Sequence, residues 1–146
     1  MTDHAITRIR PDESSAAIAL WQAAGLVRLW NDPGADIAAA LNCPTATILA
    51  AHDAAGALTG TAMAGYDGHR GWIYYVAVDP DCRKRGLGRV IMAAAEDWLR
   101  QAGIAKLQLL VRRENAQANA FYQSLGFEES TSVMFQKWLD GRAPTP

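Results

Sequence analysis

Hydrophobic and polar residues change their spacing several times along the chain, and each change marks a predicted element. Six short stretches are continuously apolar or alternate with polar residues, and they are rich in β-branched and aromatic side chains, which favours strands. They are residues 5–10, 46–52, 57–66, 72–78, 106–111 and 132–138. Four other stretches repeat apolar residues at helical spacing, within residues 11–30, 35–42, 87–102 and 116–125. This order predicts an α/β (α+β) protein whose mixed sheet carries helices on its faces.

Polar residues at the ends of the predicted helices indicate where those helices begin and end. Asp12 or Ser14 is expected to cap the first helix, whose Trp21 would face inward. Asn115 is expected to cap the last helix, and Gly126 is expected to end it. The sequence therefore predicts a short, well-delimited helix immediately before the last strand.

Length and composition indicate one compact domain over residues 1–146, with its core at about 6–138 and a flexible tail at 140–146. The formal charge of −1 gives no general attraction to nucleic acid or to an anionic membrane surface, so neither is an expected partner. Two cysteines and three histidines form no recognisable metal-ligand spacing, and no metal is expected. A charged N-terminus without an apolar run predicts a cytoplasmic protein.

Three basic residues run into a glycine-containing turn at residues 79–92, DPDCRKRGLGRVIM. The turn joins the predicted strand 72–78 to the helix that begins at Leu87, and free amides at a helix N-terminus bind phosphate. The spacing is neither that of a P-loop nor that of a dinucleotide fingerprint. Taken alone, the stretch fits an ordinary turn with a solvated basic cluster as well as it fits a phosphate site.

Two further segments extend the pattern beyond this turn. The strand YYVAV leads into Arg83-x-x-Gly86-x-Gly88, and NAQANAFYQSLGF follows a later strand at residues 115–127. Together they resemble the GNAT superfamily of acyl-CoA-dependent N-acetyltransferases, over about residues 6–138. Segments 28–33 (RLWNDP) and 64–71 (AGYDGHRG) are similar to a YpeA-like bacterial subgroup.

The resemblance implies a single domain with six to seven mostly antiparallel strands, about four helices, and two splayed parallel strands that hold acyl-CoA. The turn would bind the pyrophosphate of acetyl-CoA through backbone amides and basic side chains, and exposed backbone groups of the preceding strand would pair with the pantetheine arm. The implied cofactor-binding residues are Val76, Ala77, Val78, Arg83, Lys84, Arg85, Gly86, Leu87, Gly88, Arg89, Asn115 and Tyr122.

Tyr122 matches the position at which the family has a general acid, which would protonate the leaving thiolate. A tyrosine packed against the sheet is the alternative, and Asn115 before it and Gly126-Phe127 after it favour the catalytic role. Asn115 is expected to contact the cofactor, to cap the helix, or to do both.

The sequence contains fewer signals for the acceptor site than for the cofactor site. Trp30, Asn31 and Asp32 lie between the first two helices, where the family commonly has one wall of the acceptor site; a core tryptophan and a simple turn before Pro33 explain them equally well. The candidates for a general base and acceptor contacts are Asp67, His69 and Glu96. Glu96 also fits a surface helix position, and a water chain without a single base is a further alternative.

The leading hypothesis is an acetyl-CoA-dependent N-acetyltransferase that acts on a primary amine of a small molecule by direct attack in a ternary complex. The alternatives are a protein N-terminal or lysine acetyltransferase and a non-catalytic acyl-CoA sensor. The expected partners are acetyl-CoA and an amine acceptor, and the protein is expected to be a monomer or a homodimer.

Overall fold

A computed structural model describes residues 4–83 and 85–144. Lys84, one of the predicted cofactor-binding residues, lies outside the described residues. The chain divides into two compact units, Met1–Leu110 and Val111–Pro146. The first unit contains the sheet and three of the helices, and the second contains one helix followed by irregular chain.

One five-stranded sheet forms the centre of the first unit. Its strands are β1 (Ala5–Arg8), β2 (Ala46–His52), β3 (Leu58–Tyr66), β4 (Gly71–Val78) and β5 (Leu107–Leu109). They are ordered β1-β2-β3-β4-β5, antiparallel from β1 to β4 and parallel between β4 and β5. The mixed, mostly antiparallel sheet is confirmed.

The expected number of six to seven strands is wrong for the described part of the chain, which has five. The predicted last strand, residues 132–138, is irregular in structure. Val133 is 76% exposed and Phe135 is 94% exposed, and a strand without a hydrogen-bonded neighbour or a buried face has nothing to stabilise it.

The described residues form four α-helices, as expected. They are α1 (Ser14–Ala23), α2 (Pro33–Leu41), α3 (Leu87–Gln101) and α4 (Ala116–Ser124), and short 3-10 turns precede α1 and α3 at Pro11–Glu13 and Pro80–Cys82. The expected cap of α1 is wrong: Glu13 occupies the N-cap position, and the Ser14 hydroxyl donates to the carbonyl of Pro11 instead. No helix among the described residues is both long and apolar enough to cross a membrane.

The two faces of the sheet pack against different helices. Neighbouring residues of β3 point to opposite faces, and Thr61 accepts a hydrogen bond from the indole of Trp21 on α1, with 2.8 Å between Nε1 and Oγ1. On the other face, a Cβ at Gly60 would lie 3.1 Å from the Ala77 carbonyl oxygen and would clash with Ile91 of α3. The glycine therefore lets α3 approach the sheet closely, which fixes the start of α3 beside the end of β4.

Glu13 and His52 form a buried hydrogen-bonded pair beneath α1, with side chains 8% and 10% exposed. Burial alone would raise the pKa of Glu13, but the Arg10 backbone N–H, the hydrogen bond to His52 and the nearby positive charges together lower it. A carboxyl whose pKa is lower in the folded state stabilises the fold at every pH above its unfolded value of about 4.3, and this stabilisation is lost as the pH falls through the folded value.

We expect Glu13→Gln to lower the free energy of unfolding at pH 7 by about 1–3 kcal/mol, because it removes the charged acceptor of a buried hydrogen bond. The difference from the unsubstituted protein should shrink as the pH is lowered below about 4.3. Urea unfolding at pH 7 and at several lower pH values measures both effects. Asp12→Asn, at an exposed neighbouring position, is the control. A difference that is the same at every pH would contradict the assigned charge state.

Candidate functional site

The edge of β4 on the β5 side is paired over only part of its length, and the unpaired part, residues 74–78, is called the gap beside β4. The parallel pairing of β4 with β5 covers Gly71 to Ile73 of β4, and β4 then continues to Val78 without a described partner on that edge. The parallel pairing of β4 and β5 that the resemblance implied is therefore present. It ends at Ile73 and at Leu109, the last residue of β5.

The backbone of β4 turns its free hydrogen-bonding groups toward this gap. Asp79 donates its backbone N–H to the carbonyl of Thr59 on β3, at 2.8 Å. Since successive residues of a strand point their backbone groups to alternate edges, Val78 points its own away from β3, whereas Val76 lies where the register of the two strands shifts and the alternation is interrupted. Ala77 by contrast faces β3 and buries its side chain in the core.

The glycine turn lies at the end of the same strand. Gly86 is the N-cap residue of α3 and has a φ of 77°, in the left-handed region that favours glycine. Leu87 is buried, so only its backbone amide is available to a ligand. The amides that begin α3 have no partner within the helix.

Basic side chains surround this turn. Arg83, Arg85 and Arg89 are exposed, and none of them forms an ion pair with a residue in the described ranges. Their positive charge is thus available to a ligand. The turn, the free amides and the arginines fit an anionic group such as a pyrophosphate.

The middle of β4 contains a β-bulge. Ala77 pairs with Thr61 and Tyr74 pairs with Met63, so two residues of β4 stand opposite one residue of β3. Tyr75, in the bulge, has a φ of 52° and is the one described non-glycine residue with a positive φ. This conformation costs about 1–2 kcal/mol in a residue with a side chain, and the neighbouring contacts must supply that energy.

Three contacts hold the strained residue. The ring of Tyr75 stacks on Trp21, with 3.8 Å between centroids and 11° between planes. The hydroxyl of Thr61 donates to the carbonyl of Tyr75 at 2.8 Å, and it accepts from Trp21 as described above. The phenol of Tyr75 donates to Asp36 Oδ2 of α2 at 2.6 Å. Burial and the Asp36 carboxylate raise the pKa of Tyr75, which keeps this phenol protonated.

The predicted residues between α1 and α2 have mainly local roles. Asp32 is the N-cap of α2, and its Oδ1 accepts from the Ala35 amide at 3.0 Å. Asn31 is exposed, and its backbone N–H donates to the carbonyl of Arg28, which closes a turn. Trp30 is partly buried. The turn before Pro33, one of the two alternatives for this segment, is present.

The predicted residues of the β3–β4 hairpin lie at the other end of β4. Asp67 Oδ1 accepts from the amides of His69 and Arg70, at 2.9 and 2.8 Å, and its Oδ2 accepts from the indole of Trp72 at 3.3 Å. The amides of Arg70 and His69 lower the pKa of Asp67. The carboxylate thus holds the hairpin together, and it is poorly suited to take up a proton.

The hairpin residues and the contact between Tyr75 and α2 lie at different positions along β4. Tyr75 lies four positions after Gly71, the start of β4, which is roughly 13 Å at strand spacing. The structure therefore does not bring His69 to the contacts between Tyr75 and α2. Glu96 has the role of a surface helix residue, because it lies 3.6 Å from Arg100 in an i,i+4 ion pair.

The second unit contains the predicted general acid. Asn115 caps α4 as expected, since its Oδ1 accepts from the Ala118 amide at 3.0 Å, and Gly126 follows the helix with a φ of 91°. The ring of Tyr122 packs edge-on against Phe121 and Phe127, with centroid distances of 5.1 and 5.7 Å. Burial raises the pKa of Tyr122 to about 12, and its hydroxyl bonds to no described residue. It is a protonated phenol at neutral pH.

The sequence as a whole matches the model of the acetyltransferase (GNAT) family over residues 7–127. The chain belongs to the GNAT acetyltransferase family. The match contains the gap beside β4, the glycine turn and the helix with Tyr122. GNAT acetyltransferases use acetyl-CoA, so this protein is an acetyl-CoA-dependent N-acetyltransferase.

Relatives of this acetyltransferase occur in bacteria. An acetyltransferase of Yersinia enterocolitica is 39% identical over 122 residues, which are 84% of this chain and 86% of the relative. An acetyltransferase of Sodalis glossinidius is 39% identical over 125 residues, which are 86% and 87% of the two chains.

Solved structures share the fold. The ribosomal-protein-S18-alanine N-acetyltransferase of Escherichia coli has a TM-score of 0.75 at 27% identity, over 96% of this chain and 88% of its own. An aminoglycoside 6'-N-acetyltransferase of Acinetobacter baumannii has a TM-score of 0.77 at 19% identity, over 93% and 98% of the two chains. The latter likeness extends to the fold alone.

Sequence reasoning missed two features of this acetyltransferase. The bulge at Tyr75 leaves no signal in a strand of seven consecutive predicted residues, because it depends on how β3 and β4 pair. Asp36 was hidden in the first turn of a helix, where an acidic residue is ordinary. Its partner Tyr75 is 39 residues away in the sequence.

Proposed function

We propose that this acetyltransferase transfers the acetyl group of acetyl-CoA to a primary amine of a small molecule, by direct attack in a ternary complex. The observation that carries the proposal is the gap beside β4. Beyond Ile73, the edge of β4 has no described strand partner, so it can offer backbone hydrogen-bonding groups to a ligand. The strand leads to a turn whose amides have no partner within α3, and its middle contains the bulge beside α2. An extended acyl-CoA and an amine acceptor both need contacts to such a strand.

The residues of the first unit are suited to hold the cofactor. The backbone groups of Val76 and Val78 would pair with the amides of the pantetheine arm as an added strand does. The pyrophosphate would bind to the amides that begin α3 and to exposed arginines. The residues proposed to bind the pyrophosphate are Arg83, Arg85, Gly86, Leu87, Gly88 and Arg89, together with Lys84 outside the described residues.

Acetyl-CoA supplies the acetyl group as a thioester, whose transfer to an amine releases a thiol. We assign to Tyr122 the proton that the sulfur takes up, since its phenol remains protonated at neutral pH and bonds to no described residue. Asn115 would hold the start of α4 in place through its cap. The amine loses its proton to water in this scheme, because Asp67 is engaged in its hairpin and Glu96 in an ion pair.

A protein N-terminal acetyltransferase is the second candidate. The observation in its favour is the 27% identity to a ribosomal-protein-S18-alanine N-acetyltransferase over 96% of this chain. The two candidates differ in their acceptor, since the second requires a peptide whose first residue is free.

The test is release of free thiol from acetyl-CoA in the presence of small primary amines, of peptides that begin with alanine, and of peptides with an internal lysine. Mass spectrometry of the acceptor should show one added acetyl group on small amines. The N,N-dimethyl form of each active amine is the matched control and should give no stable product. Turnover of the alanine peptides alone would favour the second candidate. Binding of acetyl-CoA without turnover of any amine would contradict the proposed reaction.

A further inference from the structure

The carboxylate of Asp36 is held at one oxygen and open at the other. Its Oδ2 accepts from the Tyr75 phenol at 2.6 Å. Its Oδ1 accepts from no residue in the described part of the chain, and it is not enclosed, since the one buried side-chain atom without a partner among those residues is in His4. An open carboxylate oxygen on a fixed side chain can receive a hydrogen bond from a ligand.

The position of this carboxylate is specified by an unusually complete set of contacts. The ring of Tyr75 is clamped on the fully buried Trp21, and the backbone of Tyr75 is fixed by Thr61. These contacts hold the Tyr75 side chain, whose phenol donates to the carboxylate of Asp36.

The surroundings favour a cation at that open oxygen. Asp32 lies one helical turn before Asp36 on α2, and its carboxylate adds a second negative charge on the same side of the helix. No described basic residue forms an ion pair with either of them. The contact also lies at the part of β4 that has already passed its last pairing with β5.

We propose that Asp36 is a specificity-determining residue that binds a protonated amine of the acceptor, with Tyr75 as its positioning residue. The inference rests on the proposed function and specifies its substrate class: acceptors that carry a positive charge in addition to the reacting amine. A carboxylate recognises an ammonium group through charge-assisted hydrogen bonds. Discrimination against an uncharged acceptor follows, because the open oxygen and its charge would then be left without a partner.

The experiment measures binding without turnover. Calorimetry follows the binding of spermidine, a flexible trication, to the protein saturated with CoA. Asp36→Asn keeps the shape and an oxygen that accepts from Tyr75, but it removes the charge. We expect about tenfold weaker binding in Asp36→Asn and a smaller loss in Tyr75→Phe, which retains the ring that stacks on Trp21. Asp97→Asn, which makes the same change of net charge on α3, should bind as the unsubstituted protein does.

A second measurement separates recognition of charge from a structural role. Binding to the unsubstituted protein should weaken as the salt concentration rises, and Asp36→Asn should lose most of this dependence. With an amine that is turned over, KM should rise in Asp36→Asn for cationic acceptors and change little for a matched uncharged one. The affinity for CoA should remain the same.

The outcomes separate this inference from the proposed function. If the unsubstituted protein acetylates no amine but binds spermidine through Asp36, the proposed reaction fails and the cation site stands. If amines are acetylated and Asp36→Asn binds and uses cationic acceptors normally, the site is wrong. Absence of saturable spermidine binding to the unsubstituted protein also overturns the inference.

Discussion

Replacing Gly86 with aspartate should weaken the binding of CoA by about 100-fold, or about 2.8 kcal/mol. Apart from Gly86 and its two chain neighbours, no described atom lies within 4 Å of the position that a Cβ at Gly86 would take, so the new side chain would have open space beside the first turn of α3. The amides of that turn are the proposed partners of the pyrophosphate. A carboxylate there opposes the ligand's negative charge and partly cancels that of the nearby arginines. Calorimetric titration with CoA measures the loss.

Two variants isolate the charge from the backbone. Gly86 has a φ of 77°, so any side chain is strained there, and Gly86→Asn introduces nearly the same shape and strain without the charge. It should weaken CoA binding by less than about tenfold. Gly103, just after α3, has a φ of 82° and equally open surroundings. Gly103→Asp therefore places the same charge and strain at the opposite end of the helix, and it should leave the affinity for CoA unchanged. If Gly86→Asp is folded and binds CoA normally, the phosphate site lies elsewhere.

The sequence was most informative where one local segment determines the structure. The glycine turn, the start of α3 at Leu87, and the cap and end of α4 at Asn115 and Gly126 were all expected, and the structure has them. Each depends on residues within a few positions of one another, so propensity and capping rules suffice. The parallel pairing of β4 with β5 was expected from the resemblance to a family, because no local pattern specifies which strands pair.

The errors and omissions concern contacts between distant residues. Strand-like residues 132–138 have the composition of a strand, but a strand exists only with a neighbour. The bulge at Tyr75 requires the register of β3 against β4, and the role of Asp36 requires α2 to pack beside that bulge. Asp67 and Asp32 were named as acceptor-site candidates because they are acidic. In the structure each carboxylate accepts hydrogen bonds from nearby backbone amides.

The two proposed ligand contacts on β4 have opposite charge. Arginines surround the turn at the end of the strand, and the Asp36 carboxylate lies beside its middle. The net charge of −1 hides this separation, because acidic and basic residues nearly balance over the whole chain. An anionic cofactor and a cationic acceptor would each find an attractive field at a different part of one strand, which favours their simultaneous binding.

Replacing Tyr122 with phenylalanine should slow the chemical step by about 100-fold, the low end of the range for general acid catalysis, or by somewhat less. The reason lies in the pKa of the phenol. Burial raises the pKa of Tyr122 to about 12, whereas thiols ionise near 8.5, so transfer of the phenol proton to a thiolate is uphill. A thiolate also leaves tolerably without help. The phenol therefore gives its proton to the sulfur only as charge develops there in the transition state, and its contribution to the rate is smaller than that of a well-matched acid.

Single-turnover transfer from acetyl-CoA by Tyr122→Phe and by the unsubstituted protein gives the rate of the chemical step directly. The ring contacts with Phe121 and Phe127 remain in the variant, so its thermal melting should be nearly unchanged. Because the effect belongs to the transition state, kcat should fall while the affinity for acetyl-CoA stays the same. The ratio of the two rates should also be constant between about pH 6 and pH 9, since the phenol stays protonated well below its pKa of about 12. Equal chemical rates in two equally stable proteins would leave Tyr122 as a packing residue and assign the proton on the sulfur to water.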